Sequence, residues 1–424
     1  MKRFILSSAV ISTALLAFPA HAADAPPITL SLPSPAGKLP AAQSTETLEA
    51  AITGGKVSLD MRYRYESVDD KKPAPQVSLA AHASTLRTRL GYATALFEGI
   101  GAALEMENIT VLGDEHYNST VNGLTQYATV PDPKGTEINQ AYLSHAGLGD
   151  TLAKFGRQRL TLDNHRWIGN VGWRQNEQTY DGLSVVNTTL PDTRVTYANL
   201  YGVNRIFGTT STAGRYSADV NLLNVAYSGL GVGTLVGYGY WLDLSSAPTL
   251  SSRTLGVRFS GKQSTAEGLD ALYAVEFARQ YSYAGNPASF SLDYRLAELG
   301  ATARGITGML GYELLDSDST NAVQTPLATL HAMNGWADKF LSTPAAGLKD
   351  VYASLGTTLA DIKLICAYHD YSAASGSTDY GKEWNLHAWY PSGKYNVGTK
   401  YASYRARGFS FDTDKFWLYG ELKF

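Results

Sequence analysis

With 424 residues, a formal net charge of −3 and one cysteine, the chain has no basic excess for nucleic acid and no disulfide framework for a small secreted fold. Charged residues make up 17%, below the roughly 25% usual in soluble domains, while Gly (40) and Tyr (27) are abundant. No apolar run of about 18 residues follows the N-terminal stretch, so a helical membrane protein is excluded and any crossing must be made by strands.

Residues 1–22 have the pattern of a cleaved secretory signal: Lys2 and Arg3, an apolar run from Phe4 to Phe18, and Ala20-His21-Ala22 as a small-x-small site. Residues 23–55 form a Pro-, Ala- and Ser-rich periplasmic lead-in, with a short helix expected over Ser44 to Ile52. From Lys56 the hydrophobic period becomes two, which assigns 56–424 to one closed sheet. Val57, Leu59, Met61, Tyr63 and Tyr65 share one face of the first strand, and Ser58, Asp60, Arg62, Arg64 and Glu66 the other.

The alternation recurs along the chain. Leu86, Leu90, Tyr92 and Leu96 oppose Arg87 and Arg89; Ile100, Ala102, Leu104 and Met106 oppose Glu105 and Glu107. Leu255, Val257 and Phe259 oppose Arg258; Phe290, Leu292, Tyr294 and Leu296 oppose Asp293 and Arg295; Ile362, Leu364, Cys366 and Tyr368 oppose Lys363 and His369. Roughly 18 such segments, each about 9 to 11 residues long, predict an all-β, transmembrane antiparallel barrel. A soluble sandwich alternates too, but the last strand sets Phe416, Leu418, Gly420, Leu422 and Phe424 on one face and ends on Phe424, like the terminal signal that outer-membrane proteins show their assembly machinery. Aromatic clusters at Tyr238, Tyr240 and Trp241, at Trp384, Trp389 and Tyr390, and at Tyr401 and Tyr404 are expected to form interfacial girdles. The interruptions at Thr110 to Gly135 and Asp316 to about Gly347 are expected to be outer loops or lids folded into the pore, and Arg166 to Gln178 either a strand or an inward loop.

Paired arginines carry the chemistry: Arg62/Arg64, Arg87/Arg89, Arg157/Arg159 and Arg405/Arg407. Residues i and i+2 share a strand face, and an arginine facing mid-membrane lipid costs about 2–4 kcal/mol, so alternation directs each pair to the lumen. There they could guide a carboxylated solute, or be neutralised by Asp60, Glu66, Glu105, Glu107 and Asp293 as bracing ion pairs. No His-Glu-x-x-His, Gly-x-Ser-x-Gly or metal-spaced Cys/His cluster occurs, so neither an enzyme, a metal site nor a cofactor is expected. The phosphate-loop mimic at Gly256 to Lys262 has Gln263 where Ser or Thr should hold magnesium, and its Val257 and Phe259 belong to a strand.

Gly156-Arg157-Gln158-Arg159, Asp163-Asn164, Arg166, Ile168-Gly169-Asn170 and Trp173-Arg174-Gln175-Asn176-Glu177-Gln178 together resemble a signature of the alginate export family. So does Thr325 to Asp350, with its core Asn334-Gly335-Trp336-Ala337-Asp338-Lys339-Phe340, and the strand beginning Gly55-Lys56-Val57. The resemblance implies an 18-stranded outer-membrane barrel with a basic lumen passing an anionic uronate polymer. It places Arg157, Arg159, Arg166 and Arg174 on motif positions, while Arg62, Arg64, Arg87 and Arg89 come from alternation. The expected partners are the anionic polysaccharide or a small organic anion, outer-membrane lipid, the barrel assembly machinery and periplasmic export partners. Export of an alginate-like polymer is the leading expectation; uptake of small organic acids and a non-conducting structural barrel remain alternatives.

Overall fold

A computed structural model of the chain describes residues 39, 43–76 and 78–424. The expected signal sequence and most of the expected lead-in lie outside the described residues. Two strands are two-residue stubs, Ser44–Thr45 and Leu96–Phe97, paired in parallel. Among the described residues the other 18 strands form one closed antiparallel barrel. They run from 8 residues, Thr151–Gln158, to 15, Lys56–Asp70, and each pairs with the next. The last strand, Thr413–Lys423, closes the ring on the first, with Tyr63 opposite Gly420. Closure satisfies every strand's backbone groups within the sheet, the condition for β-structure in lipid.

Alternation sorts the side chains as charge and solvent demand. Val57 (68% exposed), Leu104, Leu143, Phe155, Leu355, Leu418 and Phe424 stand outward, while Arg62, Arg64, Arg87, Arg89, Arg258 and Trp417 are buried within. Short turns, among them 147–150, 304–305 and 360–361, occupy one end. The backbone of Phe424 is bonded to Leu59 at that end, and the helix Leu48–Thr53 packs there. This helix is N-capped by Thr47, whose hydroxyl accepts from the Ala50 N–H. The long connections 112–134, 159–178 and 316–347 all leave the opposite end and turn inward.

Filling the lumen at the loop end changes the polarity of the wall there. Trp167, Ile168, Trp173, Leu327 and Trp336 from the loops pack with Tyr180, Leu200, Val220, Tyr240, Tyr294 and Leu315 from the strands in one buried cluster. The expectation for Ser291–Ala303 is therefore corrected: Leu292, Tyr294 and Leu296 face inward, and Asp293 and Arg295 face out. Tyr238, Tyr240 and Tyr404 likewise point inward and belong to no girdle, whereas Trp384, Tyr390 and Tyr401 are exposed as expected. Arg405 and Arg407 are also outward, paired with Asp414 and Asp379; the strand Tyr395–Ala406 presents Tyr401 and Arg405 on the same exposed face.

Candidate solute pathway and its plug

The first two barrel strands, Lys56–Asp70 and Ala81–Ala93, put four guanidinium groups on one inner wall, with Arg62 directly opposite Arg87 and Asp60 opposite Arg89. Like charges so placed repel, and burial raises the cost, so acids must interleave. Arg87 Nη2 lies 2.6 Å from Asp60, and Arg89 pairs with Glu107 and, at 3.5 Å, with Glu177. Arg64 pairs with Asp132 and approaches Glu66 at 3.7 Å.

The remaining donors grip the loop 159–178, which lacks a sheet to bond its own carbonyls. Arg62 donates to the Gly172 oxygen at 3.0 Å, the Arg174 oxygen at 2.5 Å and Gln175 Oε1 at 3.1 Å; Arg64 donates to the Trp173 oxygen. Arg174 reaches back to Glu66 at 2.6 Å. The Asp132 carboxyl, in the loop 112–134, is held below its ordinary range: burial alone would raise it, and Arg174 and Arg64 outweigh that. Arg159 pairs with Glu177 and Glu105, and Arg166 with Glu313 and Asn334.

Of the ten arginines singled out in the sequence, seven thus converge inside, and Arg405 and Arg407 lie outside as described above. Arg157 does not converge inside either. Its strand ends at Gln158, so Arg157 and Arg159 share no strand face; Arg157 stands on the side of exposed Phe155 and shares Asp181 with Arg215. Gly202 makes that reach available, since a Cβ there would lie 2.1 Å from Arg215 Nη2.

The second inward loop, 316–347, meets the first across the lumen. Gly169 N–H donates to the Leu327 oxygen at 2.8 Å and Thr329 N–H to the His165 oxygen at 3.0 Å. Trp173 stacks on His331 (5.3 Å between centroids, 7° between planes) and meets Trp417 and Tyr419 edge-on. Lys400 Nζ sits over Trp173 at 4.0 Å and Trp336 at 4.1 Å. Gly335, at φ +85°, allows the turn: a Cβ there would lie 2.2 Å from Tyr371 Oη and 2.5 Å from Glu383 Oε2. Farther round the barrel, Glu276, Glu298, Glu313, Asp350 and Glu383 line the inner face, with Arg258, His369 and the loop residue Arg166 among them.

Sequence reasoning did not single out Asp132, Glu313, His331 or Lys400 as site residues. The alternation of Thr413–Lys423 and the Asn334–Phe340 motif were the available signals for Trp417 and Trp336.

His331 links the plug to pH. Burial pushes its imidazole down to about 3. The neutral ring bridges the site: Nδ1–H donates to Asp338 Oδ1 at 2.8 Å and Nε2 accepts from Lys400 Nζ at 2.9 Å. Burial would raise the Asp338 carboxyl, but His331 and Lys415, the latter at 2.6 Å, hold it well below its ordinary range. Both groups, once released, take up protons that they refuse in place, so docking of the loop weakens as pH falls from about 6.5 toward 3. Open time in single-channel records should rise between pH 7 and pH 4, and His331→Gln should flatten the response over that range.

Residues 55–198 match the alginate export family. The family match spans the arginine wall and the loop 159–178 that it holds. No curated protein matches the chain. Acinetobacter baumannii OccAB2 superposes with a TM-score of 0.71 at 15% identity, over 88% of this chain and 99% of that one. Pseudomonas aeruginosa OccK9 (OpdG) gives 0.70 at 13%, and OpdK of the same organism, in its structure with vanillate, also 0.70 at 13%; both cover 88% of this chain and 99% of theirs. At these identities the likeness is one of fold: a closed, 18-stranded antiparallel β-barrel.

Proposed function

We propose that the protein is a passive outer-membrane channel for small organic acids, with a single carboxylate-bearing molecule rather than a polymer as its solute. The observation carrying this reading is the meeting of the two loops at Trp173 and His331, which packs side chains across the lumen where a polymer would need an open path. The arginines serve as exchange sites. When the loop 159–178 shifts, the donors of Arg62 and Arg64 that now hold backbone carbonyls become available to a carboxylate, with Arg87, Arg89, Arg159, Arg166 and Arg174 along the same path. The OpdK structure with vanillate, an aromatic carboxylate, supports this solute class by analogy of fold. Arg157, on the outward side, has no place in this path.

Export of an alginate-like uronate polymer is the second reading, favoured by the family match. Single-channel recording of the refolded barrel under a KCl gradient separates the two. An aromatic carboxylate should interrupt the current at concentrations where an oligo-uronate of equal charge concentration does not. Block by the oligo-uronate alone would reverse the order, and a fully folded barrel that conducts nothing would point to a structural role.

A further inference from the structure

Three adjacent strands, Ser252–Ala266, Leu269–Ser282 and Ser291–Ala303, carry Arg253, Arg279 and Arg295 on their outward faces close to the loop end. One carboxylate, Asp293, serves the last two. Asp293 accepts from Arg279 Nε at 2.8 Å and from Arg295 Nη2 at 2.9 Å, and these two arginine side chains remain 48% and 56% exposed. Arg253 lies over the Tyr281 ring at 4.7 Å, and its Nε is buried with no hydrogen-bond partner. Directly toward the short-turn end, the same faces present Leu255, Val257, Val275, Phe277 and Leu299, all exposed. The cations nearer the short turns, Lys262, Lys363 and Lys423, instead fall in the inward register of their strands, with Arg258, Ile365 and Tyr419.

We infer that Arg253, Arg279 and Arg295 form an external site for a phosphate-bearing lipid headgroup in the leaflet around the loop end, its acyl chains lying on the apolar belt below. Three guanidinium groups outnumber the two carboxylates beside them, Asp293 and Asp316, where the barrel's apolar surface ends. Guanidinium forks bind phosphate oxygens bidentately, and the buried, unbonded Arg253 Nε offers a further donor. The half-buried Tyr281 and exposed Tyr283 mark the same depth, where aromatic rings sit at the lipid boundary. This site is separate from the lumen and independent of the solute the channel takes.

The test is native mass spectrometry of the folded barrel in detergent with added diphosphoryl lipid A, and with the same glycolipid after its phosphates are removed. The wild-type protein should retain the phosphorylated lipid at least fivefold better than the dephosphorylated one, and Arg253→Gln/Arg279→Gln/Arg295→Gln together should remove that preference. If the triple variant lacks the heat-modifiable gel mobility of a folded barrel, Arg253→Gln alone should still reduce retention measurably. Equal retention by the variants, equal retention of the dephosphorylated lipid, or displacement of the lipid by millimolar inorganic phosphate would each overturn the site. Conductance in a lipid A-free bilayer should be the same for wild type and variants, which keeps this outcome apart from that of the channel reading.

Discussion

Trp173→Ala should raise single-channel conductance several-fold and blunt discrimination between small carboxylates and chloride. The indole is 1% exposed, stacks on His331, meets Trp417 and Tyr419 edge-on, and lies under the Arg64 and Lys400 cations at 5.1 and 4.0 Å. It is where loop 159–178 meets loop 316–347, so its removal leaves a void at their junction. Truncating a buried tryptophan typically costs about 3–5 kcal/mol, and here the loss falls on the docking of the two loops, because the closed sheet does not need them for its hydrogen bonds. Planar-bilayer conductance and a heat-modifiability gel check both halves: the barrel should stay folded while the current rises. An unchanged conductance with a folded barrel would move the path away from this junction.

The second large effect is expected at Asp132. Its carboxylate pairs with Arg64, lies 3.8 Å from Arg174 and accepts the Gln175 N–H at 2.9 Å. Asp132→Ala leaves two buried guanidinium groups with Glu66 as the acid they share, and removing one partner of a buried ion pair commonly costs about 3–5 kcal/mol. The loops 112–134 and 159–178 should become sensitive to limited proteolysis, with the rest of the barrel still resistant. Asp132→Asn keeps an acceptor for the Gln175 N–H and should lose less. If the alanine variant resists protease as well as the parent, the two arginines have found other compensation and the network is not what holds the loops.

The lipid-facing and inward faces of most strands were legible because a period of two carries that information residue by residue. The first strand, the last strand and the face of Cys366 follow it. Ser291–Ala303 does not, and the reason is physical: an apolar face points at whatever dry surface is available, and at the loop end that surface is Trp167 and its neighbours rather than lipid. Tyr238 and Tyr240 were misplaced on the same ground. The arginines of the first two strands could be assigned to the lumen, but alternation names a face and not a partner. Arg62 bonds Gln175 across a separation of 113 residues, and nothing in the local pattern of either segment announces the other. The two family-like motifs hold most of the plug, and their length was the signal that these segments have a packed role.

The seam between Lys56–Asp70 and Thr413–Lys423 has a consequence for the order of assembly. The first barrel strand carries Arg62 and Arg64, whose partners arrive with Asp132 and the 172–175 backbone, and its sheet neighbour on the other side is the barrel's last strand in chain order. Until that segment arrives, the first strand has one bonded edge and one open edge. Formation of this contact joins the most distant parts of the sequence, which makes closure a late and slow event of high contact order. A barrel interrupted before that step would present an unpaired strand beside a row of charges, a state distinguishable by hydrogen exchange at the two seam strands alone.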